Sequence, residues 1–214
     1  MKKQQAGFTL IELAIVLVII GLLLGGVLKG QELINSAKVK NMARDFQNIQ
    51  VYMYGYQDRF KVLPGDDHHA DTHVGGTNPA NGTQNGVIEG SWNTNANGDE
   101  TCAIWEHIRL ASLAPGSTTI SCAANNTYQP RNADGGLIGL QSVSTGIPEL
   151  TGLTGAYVVC SNAILGRYAA QLDTTLDDGV GNTGVVRVAE ADASASTGVA
   201  VPAEGTTYMV CMTF

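Results

Sequence analysis

The chain has 214 residues, a formal net charge of −7, 14% charged side chains and 26 glycines. That length suits one ordinary domain plus a helical stalk, and an acidic body with no basic stripe argues against a primary nucleic-acid binder. Abundant Gly, Asn, Thr and Ser with sparse charge point to an exported, loop-rich β domain rather than a cytoplasmic enzyme.

The N-terminus reads Lys2-Lys3-Gln4-Gln5-Ala6-Gly7, followed by an almost wholly apolar run from Phe8 to Leu28 whose one charge is Glu12. A bilayer-spanning helix needs roughly 20 apolar residues. The two lysines ahead of the run favour an N-terminus held on the cytoplasmic side. An ordinary secretory signal fits poorly, because no small-x-small cleavage site follows the long apolar core. A carboxylate inside such a segment costs roughly 2.5–3.5 kcal/mol on insertion scales, so Glu12 implies a partner or a task.

Gly7-Phe8-Thr9-Leu10-Ile11-Glu12-Leu13 resembles the class III leader and N-terminus of type IV prepilins and type II secretion pseudopilins. The resemblance implies cleavage after Gly7 by a prepilin peptidase and N-methylation of the new terminus, Phe8. It also implies an assembly role for Glu12. In a monomer, Glu12 must be tolerated in the apolar phase alone or protonated. In a bundle, its carboxylate would meet the Phe8 ammonium of a neighbouring subunit and so set the axial stagger, since other registers leave both charges buried and unpaired.

Beyond the span, Val39, Met42, Phe46, Ile49, Met53, Tyr56 and Phe60 recur at steps of three and four and form one apolar stripe. One helix is therefore expected from about Phe8 to about Phe60, roughly 80 Å at 1.5 Å per residue. Leu63-Pro64-Gly65-Asp66 ends it. Gly21, Gly25, Gly26 and Gly30 form small-xxx-small pairs that allow close helix approach. Each also weakens the helix by roughly 1 kcal/mol relative to alanine, so two helices broken at the glycines is the alternative.

Residues 66–99 read as a polar loop. Asn97-Gly98-Asp99-Glu100 has the spacing of a capping box. It opens a helix through Ile104, Trp105, Ile108, Ala111 and Leu113, ended near Pro115. Strands are expected at Leu137–Ser144, Leu153–Cys160, Val185–Ala189 and Thr207–Phe214. A helix through Ile164, Leu165, Tyr168, Leu172 and Leu176 lies between the second and third. Val186, Val188, Met209 and Cys211 alternate with more polar positions, as half-buried strands do. The expected fold class is α+β, with a long N-terminal stalk helix on an antiparallel sheet, as in type IV pilins. The divisions are a leader (1–7), a transmembrane or filament-core helix (8–30), an amphipathic helix packed on the head (31–62) and a β-rich head (63–214). Leu63-Pro64-Gly65-Asp66, Trp105-Glu106-His107-Ile108 and Leu176-Asp177-Asp178-Gly179 resemble pieces of a subgroup of filament subunits.

Cys102, Cys122, Cys160 and Cys211 would face an oxidising compartment, so two disulfides are the default. Three pairings are open. Cys102–Cys122 with Cys160–Cys211 is favoured, because each joins nearby segments of one half of the domain. The run Asp66-Asp67-His68-His69-Ala70-Asp71-Thr72-His73 is the densest set of metal-ligand types. His69 and His73 have helical-turn spacing, and Asp66 or Asp71 could complete a site; the plainer reading is a solvated polar loop. Asn93, Asn95 and Asn97 echo the start of an EF-hand loop, but its final bidentate position holds Ile104. Asp173, Asp177, Asp178 and Asn182 form a second oxygen-rich group. The resemblance adds that major pseudopilins bind Ca2+ in a C-terminal loop; otherwise this is an acidic turn closing a helix. His107 reads as a packing or surface residue. No G-x-S-x-G and no phosphate-cradling Gly-rich loop occurs, so no enzyme activity and no other cofactor is expected.

The expected function is that of a structural subunit of a type IV pilus-like filament. It would be drawn from the inner membrane, with its head periplasmic, into a helical polymer. Its partners would be itself, the prepilin peptidase and methylase, and inner-membrane assembly machinery. A pseudopilin of a type II secretion system is the close alternative. A membrane-anchored ligand- or metal-binding domain is the distant one, and a mere tether has no need of Glu12.

Overall fold

The computed structural model describes residues 9–123, 127–190 and 196–214. The chain divides into two units, Met1–Lys38 and Val39–Phe214. Helix α1, Leu10–Phe60, runs unbroken through Gly21, Gly25, Gly26 and Gly30, so the alternative of two helices does not hold. An 18-residue window of this helix has a mean hydropathy of 2.8, and none of it is buried. A Cβ added at any of the four glycines would meet nothing within 4 Å. Their smallness therefore serves no contact inside the described chain.

In the second unit the expected stripe is the buried face from Val39 through Met42, Phe46, Ile49 and Met53 to Tyr56, joined by Ala43, whereas Phe60 at its end is only half-buried. Val39 is the first buried residue of α1. The helix stops because Lys61 takes a left-handed φ of 62° while its N–H still reaches Gln57 O at 2.8 Å. Such a residue closes a helix, and Pro64 cannot reopen it.

The remaining α-helices and strands are α2 (Ala70–His73), α3 (Glu100–Leu110), β1 (Ile138–Ser142), β2 (Tyr157–Leu165), α4 (Gly166–Leu176), β3 (Val186–Glu190) and β4 (Thr207–Thr213), with a 3-10 turn at Val143–Thr145 after β1. The strands form one antiparallel sheet in the order β1-β2-β4-β3. A long helix with a four-stranded antiparallel sheet is an α+β arrangement consistent with a pilin fold.

Several boundaries differ from expectation for local reasons. Gly152 and Gly155 take φ of 73° and 125°, which keeps 153–156 out of the sheet and delays β2 to Tyr157. Ile164 and Leu165 pair with Tyr208 and Thr207 of β4, so they extend β2 past a bulge and α4 starts only at Gly166. Ser112, at φ 60°, ends α3 before Leu113.

The strands are not half-buried. Val159, Val186, Val188, Val210 and Met212 face a core shared with α1, Ile104, Trp105 and Ile108 of α3, and Leu172 of α4. Val158, Cys160, Ala189, Met209 and Cys211 face a second cluster with Trp92, Leu137, Ile147 and Leu150. Alternation therefore sorts residues between two apolar layers rather than between core and water.

Cys160 and Cys211 lie directly opposite each other on β2 and β4 and are bonded within the second layer. Cys102 of α3 is bonded to Cys122. The sheet edges are covered by loop: Ile88 O receives Ser142 N–H of β1, and Gly181 O receives Val188 N–H of β3. Covering an edge removes a template for unwanted strand pairing.

Candidate functional site

The first turn of α1 holds the only charge of the apolar run. Thr9 precedes the helix, and Glu12 Oε2 accepts the Thr9 N–H at 2.8 Å and its hydroxyl at 2.7 Å. The Thr9 hydroxyl in turn lies 3.3 Å from the Glu12 N–H that it caps. This is a reciprocal capping box, which satisfies donors that a helix start leaves orphaned. Glu12 is thus not alone within its own chain, contrary to expectation. The Thr9-x-x-Glu12 spacing carries that signal in the sequence. The processing residues Gly7 and Phe8 lie outside the described residues.

The head presents two further groupings. The carboxyl groups of Asp173, Asp177 and Asp178, at the end of α4, each place an oxygen within 4.8 Å of the others. Asp177 accepts Val186 N–H at 2.9 Å; Asp178 accepts the Thr183 hydroxyl at 2.6 Å and Val180 N–H at 2.9 Å. Asp173 differs: both its oxygens are buried and, among the described residues, neither accepts a full hydrogen bond, the Gly179 N–H standing off at the margin. Burial, then the charges of Asp178 and Asp177, push its carboxyl up to about 6, against a partial pull from Gly179 N–H and Arg187. Three converging oxygens with one acid left unsolvated suit a hard cation.

The 63–99 loop is organised by carboxylates. Asp66 accepts the N–H groups of Asn85 and Gly86, and Glu106 accepts the Thr77 N–H and the Thr77 hydroxyl. Asp67 receives the Tyr56 hydroxyl at 2.7 Å and His69 N–H at 2.9 Å, and lies 2.7 Å from His73 Nδ1. Burial alone would raise Asp67, but those hydrogen bonds bring it below its ordinary value.

His107 is fully buried, with Gly65 N–H on Nδ1 and Thr77 O at 2.9 Å from Nε2, so it is a packing residue held neutral by burial. The expected box at Asn97 does not form. Helix α3 starts at Glu100 with Asp99 as cap residue and no side-chain capping bond. Asp99 is instead held by Asn81 and Thr94, and Asn97 by Ala123 N–H. Glu100 turns inward to Glu89 N–H at 2.7 Å and His68 Nε2 at 3.4 Å.

Residues 2–28 match a family described as the prokaryotic N-terminal methylation motif. The chain carries the class III leader of type IV pilins and pseudopilins. The motif implies processing by prepilin peptidase and assembly in the membrane, and it fits the exposed apolar helix behind it. No curated protein and no solved structure matches the chain. The match covers the leader and span of this pilin-like precursor and leaves the head to be read from its own geometry.

Glu100 makes the head's stability depend on pH. It has no exposed surface, and burial pushes its carboxyl up to about 7 from 4.5. Glu89 N–H and His68 oppose that rise, whereas the facing Asp66 and Glu89 carboxylates add to it. A carboxyl raised in the folded state stabilises in its protonated form, so its contribution is complete below 4.5 and is lost as pH climbs through about 7. Glu100→Gln keeps a neutral side chain of the same shape. Relative to the wild type it should gain stability between pH 5 and pH 8, on the order of 2 kcal/mol. Thermal melts of the detergent-solubilised chain across that range check this; a variant that loses ground as pH rises contradicts the assignment.

Proposed function

We propose that the chain is a structural subunit of a type IV pilus-like filament. It is made as a membrane-inserted precursor, cut after Gly7, methylated at Phe8 and drawn from the inner membrane into a helical polymer, with the head outside that membrane. The methylation motif over residues 2–28 carries the reading. Two features support it. The apolar side chains between Leu10 and Leu28 are exposed among the described residues, and four glycines on the same helix leave open space for other helices. Lateral packing of these helices would supply most of the cohesion, and Glu12 would supply the register.

Before assembly, the capping box keeps Glu12 satisfied in the isolated subunit. On assembly, the Phe8 ammonium of a neighbour offers a charged partner in place of the Thr9 hydroxyl. The role is structural rather than catalytic.

A second reading is a pseudopilin of a type II secretion system, favoured by the Asp173, Asp177 and Asp178 group. In this reading the three carboxylates hold Ca2+, with backbone carbonyls and water completing a shell of six to eight oxygens. The unpartnered oxygens of Asp173 fit such an ion.

Two outcomes are expected. Ca2+ at millimolar concentration should raise the melting temperature of the detergent-solubilised chain, and Asp178→Asn should abolish the gain. An unchanged melting temperature leaves an acidic turn and nothing more. Glu12→Ala should be processed and accumulate in the inner membrane with few or no filaments, because it strips the neighbour's Phe8 amine of its partner. Breaking a fully buried pair from one side costs roughly 3–5 kcal/mol, less near the interface, and the loss recurs at every subunit added. Glu12→Asp should be intermediate. Filament counts by microscopy, beside immunoblots of membrane-held subunit, decide it; normal filament numbers at normal subunit levels remove the register role assigned to Glu12.

A further inference from the structure

His69 and His73 bracket the single turn of α2, four residues apart in sequence. Their ring centroids are 6.4 Å apart, and both imidazoles are open to solvent, His73 with a third of its side chain exposed. Exposure alone would make them ordinary surface histidines. Their inner nitrogens say more. His73 Nδ1 lies 2.7 Å from Oδ2 of Asp67, and His69 Nδ1 lies 3.3 Å from Oε1 of Gln84. A carboxylate oxygen and an amide oxygen can only accept. Each Nδ1 therefore carries the proton, and in the neutral ring each Nε2 presents a lone pair. Among the described residues, neither Nε2 makes a hydrogen bond.

The supports are themselves fixed. Asp67 is fully buried and also accepts from the Tyr56 hydroxyl and His69 N–H, so its position relative to the histidines is set by α1 and by the turn. The His73 ring stacks on Phe60, centroids 5.5 Å apart and 22° between planes. An imidazole whose far nitrogen donates to a buried carboxylate is the outer-shell arrangement that orients metal-bound histidine and raises its basicity. Two histidines one helical turn apart is the spacing at which a pair binds zinc on a helix face.

We propose that His69 and His73 bind one divalent transition-metal ion of the zinc class through their Nε2 atoms, with Asp67 and Gln84 as orienting residues. Imidazole donors suit Zn2+, Cu2+ and Ni2+ rather than Ca2+ or Mg2+, so this site is separate in chemistry from the all-oxygen group at Asp173. Among the described residues no third His, Cys, Asp or Glu closes on the pair. Water therefore fills the remaining positions, and the site stays open. His68 does not join it, because its Nε2 faces Glu100. The ligands must be neutral, so binding weakens in acid. The loop that carries the site is tied to the end of α1 through Asp67 and Tyr56, so a bound ion would stabilise the head. The inference does not rest on the filament reading.

The test is calorimetric titration of the detergent-solubilised full chain with zinc chloride, in buffer already holding millimolar Ca2+ to occupy any oxygen site. One Zn2+ per chain is expected. His69→Gln, at an exposed position, should weaken binding at least tenfold, and His73→Gln should do the same. Asp67→Asn keeps both ligands but should weaken binding by about 10–100-fold, which a purely structural role for Asp67 would not do in a variant with a normal melting curve. His68→Gln should leave the isotherm unchanged. No saturable zinc binding, or wild-type affinity in His69→Gln, overturns the proposal.

Discussion

Glu12 sits at the first turn of a helix that is otherwise apolar up to Leu28, and its carboxylate is spent on the Thr9 N–H and hydroxyl. A helix start leaves four N–H groups without partners, and in an apolar phase no water supplies them. The acid that is costly as a charge is useful as a cap. In the proposed filament one residue would serve two states: it completes the helix of a single chain and would attract the terminal amine of another. Between Leu10 and Leu28 the chain carries no other charge to choose one register over its neighbours, and the apolar side chains behind Glu12 pack nearly alike at many offsets.

The head is built on a different constraint. Its sheet is apolar on both faces, so loops must cover one of them, and long irregular segments must then be held without strands. In 63–99 that work falls to acidic side chains. Asp66, Asp67 and Glu106 gather backbone N–H groups and hydroxyls, while Glu100 closes the inside of the loop against α3. Buried carboxylates so arranged leave the loop responsive to protons, and they orient the histidines on its outer turn. Disulfides reinforce both layers, Cys160–Cys211 across the sheet and Cys102–Cys122 from α3 to the following loop. Each closes a loop and restricts the unfolded chain, worth about 2–4 kcal/mol when unstrained.

Much of this was legible in the sequence where the signal is local. The apolar run, the stripe from Val39 to Tyr56 and the approximate strand positions rest on periodicity, which neighbours along the chain supply. The burial of both sheet faces was not legible, because a strand alternating between two apolar layers has the same pattern as one alternating between core and water when Ser, Thr and Cys take part. Nor was the inside of the 63–99 loop, where two acids reach across 20 or more residues: Asp66 meets Gly86, and Glu106 of α3 meets Thr77. The two capping-box spacings show the limit well. Thr9-x-x-Glu12 forms the box because, among the described residues, nothing competes for either side chain. Asn97-x-x-Glu100 does not, because Asn97 is taken by Ala123 and Glu100 by Glu89 and His68.

The central claim is that this chain is a processed and methylated subunit, and the mature N-terminus tests it most directly. Intact-mass and N-terminal fragment spectrometry of the chain recovered from its own cells should find a terminus at Phe8 carrying one added methyl group. Gly7→Val should leave the precursor uncut. A mature chain that retains Met1, or that begins beyond Leu28, contradicts the account.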